Sequence, residues 1–113
     1  MIIGIASQQA IRARAVAIAG GYHKPRPEEP KIWFTSMHSL AKVLSDDNRA
    51  LRRVTREEKP DSLSKLAEVT GRAPSNLSRT LKTMERYGFV EMQRELRTVR
   101  PVMKASEFVI RAA

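Results

Sequence analysis

The chain has 113 residues, enough for one compact domain with some extra at its ends, and 42% of them are apolar but only six aromatic, which allows a modest core. It carries 21 Lys and Arg against 12 Asp and Glu, a net charge of +9 that favours a polyanionic partner, nucleic acid or an anionic membrane surface. The absence of cysteine excludes disulfides and thiolate metal sites, and no apolar run approaches the ~20 residues that span a bilayer.

Met1 to Ala6 is predicted to form a short strand. It lacks the basic flank of a signal peptide, and its apolar run stops at Ser7. Ser7 is placed to cap an Ala-rich helix that ends at Gly20-Gly21. On that helix Arg12 and Arg14 lie about 160° apart, so no clean amphipathic face serves import or membrane contact. A cytoplasmic location with no membrane partner is expected. His23 to Pro30 contains Pro25, Pro27 and Pro30 and reads as an extended linker. Residues 1–30 therefore read as a strand-helix extension and linker, serving dimerisation in preference to a partner-binding arm. Residues 31–113 read as a separate domain.

Lys31 to Phe34 is a short β-prone run. Met37, Leu40, Ala41 and Leu44 then follow at i, i+3, i+4 and i+7, the spacing of a one-sided helix, with His38 a partly buried packing residue beside it. Ser45 caps a second helix, with Asp46 and Asp47 at its positive dipole end, lined by Ala50, Leu51 and Val54 and ended by Pro60. Ser62 caps a third, containing Leu63, Leu66, Ala67 and Val69 and stopped at Gly71. Pro74 suits the first position of a fourth, which runs to Tyr87 and ends at Gly88. Two β-prone runs, Phe89 to Arg94 and Thr98 to Met103, flank Glu95-Leu96-Arg97 and are predicted to form a hairpin. Its tip has no glycine or asparagine, which leaves the turn type open. Phe108 and Ile110 alternate in a last short strand.

The charge is uneven. Residues 1–26 carry four basic and no acidic groups, and residues 71–104 carry eight basic against three acidic, while the middle is nearly balanced. In the fourth helix, at ~100° per residue, Leu77, Leu81 and Met84 share one face and are assigned to the core. The opposite face presents Ser75, Arg79, Lys82 and Arg86, with Asn76 and Thr83 beside them and Glu85 on the flank. An α-helix fits the major groove of DNA, where Arg pairs with guanine and Asn with adenine. Ser75, Asn76 and Arg79, near the helix start, are the candidate base readers, and Lys82, Thr83 and Arg86 the candidate phosphate contacts. The hairpin adds Arg94, Arg97 and Arg100 around its tip, suited to the minor groove or the adjacent backbone.

The string Leu66-Ala67, Gly71, Leu77-Ser78-Arg79, Leu81 and Gly88-Phe89-Val90 resembles the winged-helix regulators of the MarR-like and ArsR-like type, over about residues 36–104. Trp33-Phe34-Thr35-Ser36, Leu44-Ser45, Asn48-Arg49 and Gly71-Arg72, with Ala17-Ile18-Ala19 ahead of them, are similar to a group of small predicted prokaryotic transcriptional regulators. Genes of that group often lie beside toxin-like genes. Leu96 departs from the pattern, which has glycine at the wing tip. The resemblance implies a mainly α fold with a small β-hairpin wing (α+β), a winged helix-turn-helix carrying an N-terminal strand-helix extension. It also implies a transcriptional regulator that binds double-stranded DNA, and it adds Arg72 and Ser78 to the DNA-contacting set; a homodimer is expected because a lone recognition helix covers too few base pairs for specificity. The alternative is an antitoxin that holds a protein toxin through residues 1–30 and represses its own operon.

Other chemistries find little in the sequence. His23 and His38 do not show metal-ligand spacing, and Gly20-Gly21 is not followed by the Lys-Ser or Lys-Thr of a phosphate loop, so neither catalysis, metal nor cofactor is expected. Trp33 and Phe34 lead into an amphipathic helix and read as core or dimer contacts rather than stacking platforms for single strands. A pure protein-interaction module needs no acid-free helix face, and RNA recognition is expected to bring aromatic platforms.

Overall fold

The computed structural model describes residues 1–105 and 107–112. In chain order the elements are β1 (Ile2–Ile5), α1 (Gln8–Ala19), β2 (Ile32–Phe34), α2 (Met37–Val43) and α3 (Asp46–Glu58). They continue with α4 (Leu63–Thr70), α5 (Pro74–Arg86), β3 (Val90–Arg94), β4 (Val99–Met103) and β5 (Val109–Ala112). The fold is α+β, and its contacts part into two units, Met1–Ala41 with Glu107–Ala113, and Lys42–Ser106.

In the first unit β1 is the central strand of a three-stranded parallel sheet, order β2-β1-β5. Ile3 and Ile5 pair with Ile32 and Phe34, and because alternate residues share a face, these four lie on one side. Ile3, Ile5 and Phe34 are buried. Gly4 pairs with Trp33 on the other side, where a Cβ on Gly4 would overlap the indole at Cε3 and Cζ3. The Arg14 guanidinium of α1 lies 5.3 Å from the centroid of that ring. Ser7 Oγ accepts from Ala10 N–H at the start of α1, and Gly21 takes φ 78° just past its end.

The segment expected to be an extended linker is tied down. Tyr22 and His23 N–H both return to Ala17 O, at 2.9 and 3.1 Å. The Glu29 carboxylate accepts from Arg14 at 2.7 Å and meets His23 Nε2 at 2.9 Å, and Pro30 is buried. Residues 20–31 are thus the return connection of a β1–α1–β2 unit. The division of the chain falls within α2 and not at residue 30, because β2 and β5, both after that expected boundary, hydrogen-bond to β1, which lies before it. The last strand pairs Ile2 with Val109 and Ile3 with Ile110, a long-range parallel register that local patterns do not encode.

In the second unit α3, α4 and α5 bury Leu51, Leu66, Leu77, Leu81 and Met84, joined by Phe89 and Val90 at the entry to the antiparallel β3-β4 hairpin. Ser45 and Ser62 cap α3 and α4 through Asn48 and Lys65 N–H, as their positions predict. The end of α3 is set one residue before Pro60, by Lys59 at φ 47°.

Some faces are rotated from expectation. Helix α2 buries Leu40 and Val43, while Met37, His38 and Ala41 are exposed. The helix stops at Val43, where Asn48 Nδ2 donates to Val43 O at 3.0 Å, so Leu44 lies outside the helix that its spacing predicts. Helix α3 buries Leu51 as expected, joined by Arg52 and Thr55 where Ala50 and Val54 were expected; those two are half-buried.

Trp33 is the single tryptophan, and its fluorescence reports on the first unit. Gly4→Ala should lower that unit's stability to urea by about 1–3 kcal/mol, since the indole must shift. Gly20→Ala, whose Cβ meets the exposed and movable ring of Tyr22 and lies at ordinary contact distance, 3.4 Å, from Val16 O, should stay within about 0.5 kcal/mol of the parent. Equal unfolding curves for all three proteins would contradict this packing. Hydrogen bonds from His23 and then Arg14 hold the Glu29 carboxyl below its ordinary 4.5. A depressed folded value means the stabilisation is present above about pH 4.5 and is lost as pH falls through the folded value. Glu29→Gln should therefore flatten the acid limb of the Trp33 unfolding midpoint against pH.

Candidate nucleic-acid interface

The segment from Ser62 to Met103 is positioned by its turns. Gly71 takes φ 71°, and its N–H bonds Ala67 O at 2.9 Å, closing α4. Arg72 and Ala73 complete a short link to α5, which starts with Pro74 at a position whose N–H would be unbonded in any case. At the far end Gly88 N–H bonds Glu85 O at 3.0 Å and Phe89 N–H bonds Met84 O at 2.9 Å, with Gly88 at φ 78°. That pair of bonds is a Schellman motif, and it turns the chain directly into the hairpin.

With Leu77, Leu81 and Met84 fully buried, the rest of α5 is fixed outward. Ser75, Asn76, Arg79, Lys82, Glu85 and Arg86 are exposed, and Ser78 and Thr83 are half-buried. Thr83 Oγ1 donates back to Arg79 O at 3.2 Å, leaving the hydroxyl oxygen's lone pairs as acceptors. Arg94 and Arg97 are exposed on the hairpin, either side of the fully exposed Leu96. Among the described residues no hydrogen bond or ion pair holds the charged ends of Arg79, Lys82, Arg86, Arg94 or Arg97. Elsewhere in this unit Arg49 pairs with Asp46, Lys65 with Glu68, and Lys104 with Glu91 at 2.5 Å, while Lys42, Arg53, Arg56 and Lys59 have no ion-pair partner among the described residues.

Two expected contacts are placed differently. Arg72 is half-buried, and its Nη2 donates to Asp47 O at 2.9 Å, with Nη1 3.5 Å from Asn48 Oδ1. It ties the α4–α5 link to the start of α3. Arg100 lies in β4 opposite Gln93, half-buried, with Nη2 donating to Gln93 Oε1 at 2.6 Å. It is away from the tip. The turn itself closes with Glu95 N–H on Thr98 O at 2.8 Å. Neither Leu96 nor Arg97 has positive φ, so the turn is not one of the primed types that require glycine or asparagine.

The residue that pattern reading missed is Arg52, 3% exposed on α3. Its Nη1 donates to Phe89 O at 2.6 Å and its Nη2 to Ala105 O at 2.5 Å, and its guanidinium lies 5.7 Å from the Phe89 ring centroid. Phe89 O also accepts from Lys104 N–H, so the buried arginine completes the open base of the hairpin. Burial, and then the charge of Arg56, lower its pKa. The sequence signal was a basic residue next to the core position Leu51, which a helical wheel assigns to solvent. Arg52→Ala removes the donor to Ala105 O and one of the two to Phe89 O, and should cost about 3 kcal/mol in urea unfolding of the second unit. A change under about 0.5 kcal/mol would show that the two bonds carry no net stability.

No helix among the described residues is long and apolar enough to cross a membrane, and no group of three His, Cys, Asp or Glu there is arranged to hold a metal ion. No curated protein and no solved structure matches the chain. The sequence model of the HVO_A0114 family matches residues 43–110, well over half of its length. That match takes in α3, α4, α5 and the hairpin, and the chain belongs to the HVO_A0114 family.

Proposed function

We propose that the second unit is a winged helix-turn-helix that binds double-stranded DNA and that the protein regulates transcription. The observation that carries this reading is the acid-poor outward face of α5, where Ser75, Asn76, Arg79, Lys82 and Arg86 are exposed and the three cations have no partner among the described residues. On this reading α4 and α5 are the helix-turn-helix and β3-β4 is the wing. The N-terminal residues of α5 meet base edges in the major groove: Ser75 and Asn76 by hydrogen bonding, Arg79 by its fork on guanine. Lys82, Thr83 and Arg86 meet phosphates, with Ser78 as a lesser contributor because it is half-buried. Arg94 and Arg97 follow the adjacent backbone or minor groove. Arg72 and Arg100 hold the scaffold and are secondary.

One such unit covers too few base pairs for specificity, so two copies act together, their α5 helices about one DNA turn, ~34 Å, apart. The first unit is the place for that pairing. It exposes Val16, Tyr22, Val109 and Ile110, and α1 has no buried residue.

Arg79→Ala and Arg97→Ala should fail differently on DNA. The first should weaken a cognate duplex by about 1–3 kcal/mol and relax preference at one base pair. The second should weaken cognate and scrambled duplexes alike and reduce the slope of log K against log salt by about 1. Titration of both duplexes at several salt concentrations separates the two, and saturation should require two chains per cognate duplex. Unchanged affinity and base preference in Arg79→Ala would remove α5 from the interface.

A further inference from the structure

A cleft of about 330 Å³ opens within the second unit between the C-terminal turn of α3 and the hairpin. That size is at the small end of the range for small-molecule pockets, roughly 300–1,000 Å³. Its apolar lining comes from Pro60, Pro101, Val102 and Met103, two of which are prolines with no N–H to offer a ligand. Its charged lining is Arg56, Lys59 and Arg100, and no acidic residue takes part among the described residues. Arg56 and Lys59 have no ion-pair partner among those residues. Lys59 lines the cleft from the end of α3, where its backbone takes φ 47°.

Arg100 carries the argument furthest. Gln93 Oε1 takes one proton of its guanidinium through Nη2, while its Nε is buried and has no acceptor. A buried donor without an acceptor is unfavourable and uncommon in a folded protein. We propose that this cleft binds a small organic monoanion, a carboxylate on an apolar body. The carboxylate lies among Arg56, Lys59 and Arg100, with the Arg100 guanidinium turning from Gln93 to bring its Nε–H onto an oxygen. The apolar body lies against Pro60, Val102 and Met103. A hydrated inorganic ion uses none of that apolar lining, and a neutral molecule leaves three cations and a donor unanswered. The site stands on the lining of the cleft and does not require that the hairpin meet DNA.

The test is a titration of the isotope-labelled full chain with sodium benzoate, followed by NMR, with benzamide and sodium chloride as parallel arms. The Arg100 Nε–H, Val102 methyl and Met103 methyl signals should move together and saturate, with a midpoint of about 1 mM or below. Benzamide should be at least about tenfold weaker, and chloride at matched ionic strength should not reproduce the shifts. Arg100→Gln should abolish saturation. Arg56→Gln, at an exposed position that does not threaten folding, should weaken benzoate at least about fivefold and leave benzamide unchanged. Equal response to benzoate and benzamide, shifts that only grow linearly with concentration, or the same shifts with chloride would overturn the proposal.

Discussion

A charged side chain almost wholly withdrawn from water sets the conditions for the second unit. The Arg52 guanidinium is taken from solvent at considerable cost, and it is tolerated because Phe89 O, Ala105 O and the face of the Phe89 ring all receive it. Those acceptors lie at the two ends of the hairpin segment, where Lys104 N–H already reaches Phe89 O. One residue of α3 therefore fixes where β3 begins and where the chain leaves β4. Phe89 is also the residue after the glycine that closes α5, so the same contact sets the direction in which that helix ends.

The distribution of the remaining cations follows from this scaffold. Arg52 and Arg72 are committed to backbone carbonyls, and Arg49, Lys65 and Lys104 to carboxylates. The outward face of α5 and the exposed arginines of the hairpin have no such commitments among the described residues. A face of this kind repels itself and is retained where a polyanion neutralises it, which is the physical basis of the DNA-binding proposal. The cleft at Arg56, Lys59 and Arg100 belongs to a different class. It is concave and largely apolar, whereas the α5 face is convex and polar, and the two call for different ligands.

Local chemistry in the sequence located the elements well. Ser45, Ser62, Gly71, Pro74 and Gly88 each mark a helix end for a stereochemical reason, and the Leu77, Leu81, Met84 period settled which side of α5 faces out. Three features were not legible. Pairing of Ile2 with Val109 joins strands from opposite ends of the chain, and a β-prone run does not name its partner. The prolines of residues 23–30 suggested a free linker, but Glu29 is anchored by Arg14 and His23, an ion pair across the sequence that composition does not reveal. Arg52 was hidden because a helical wheel sorts residues by polarity, while an arginine with carbonyls to meet is stable in a core.

The most direct test of the proposed interface is an amide NMR map of the full chain on addition of a duplex selected for binding. The account predicts that the largest shifts fall on residues 75–86 of α5 and on the hairpin around Arg94 and Arg97, with smaller ones at the Gly71–Ala73 link. Shifts concentrated on α3 or on the first unit, or no shifts at low salt with any duplex, would contradict it.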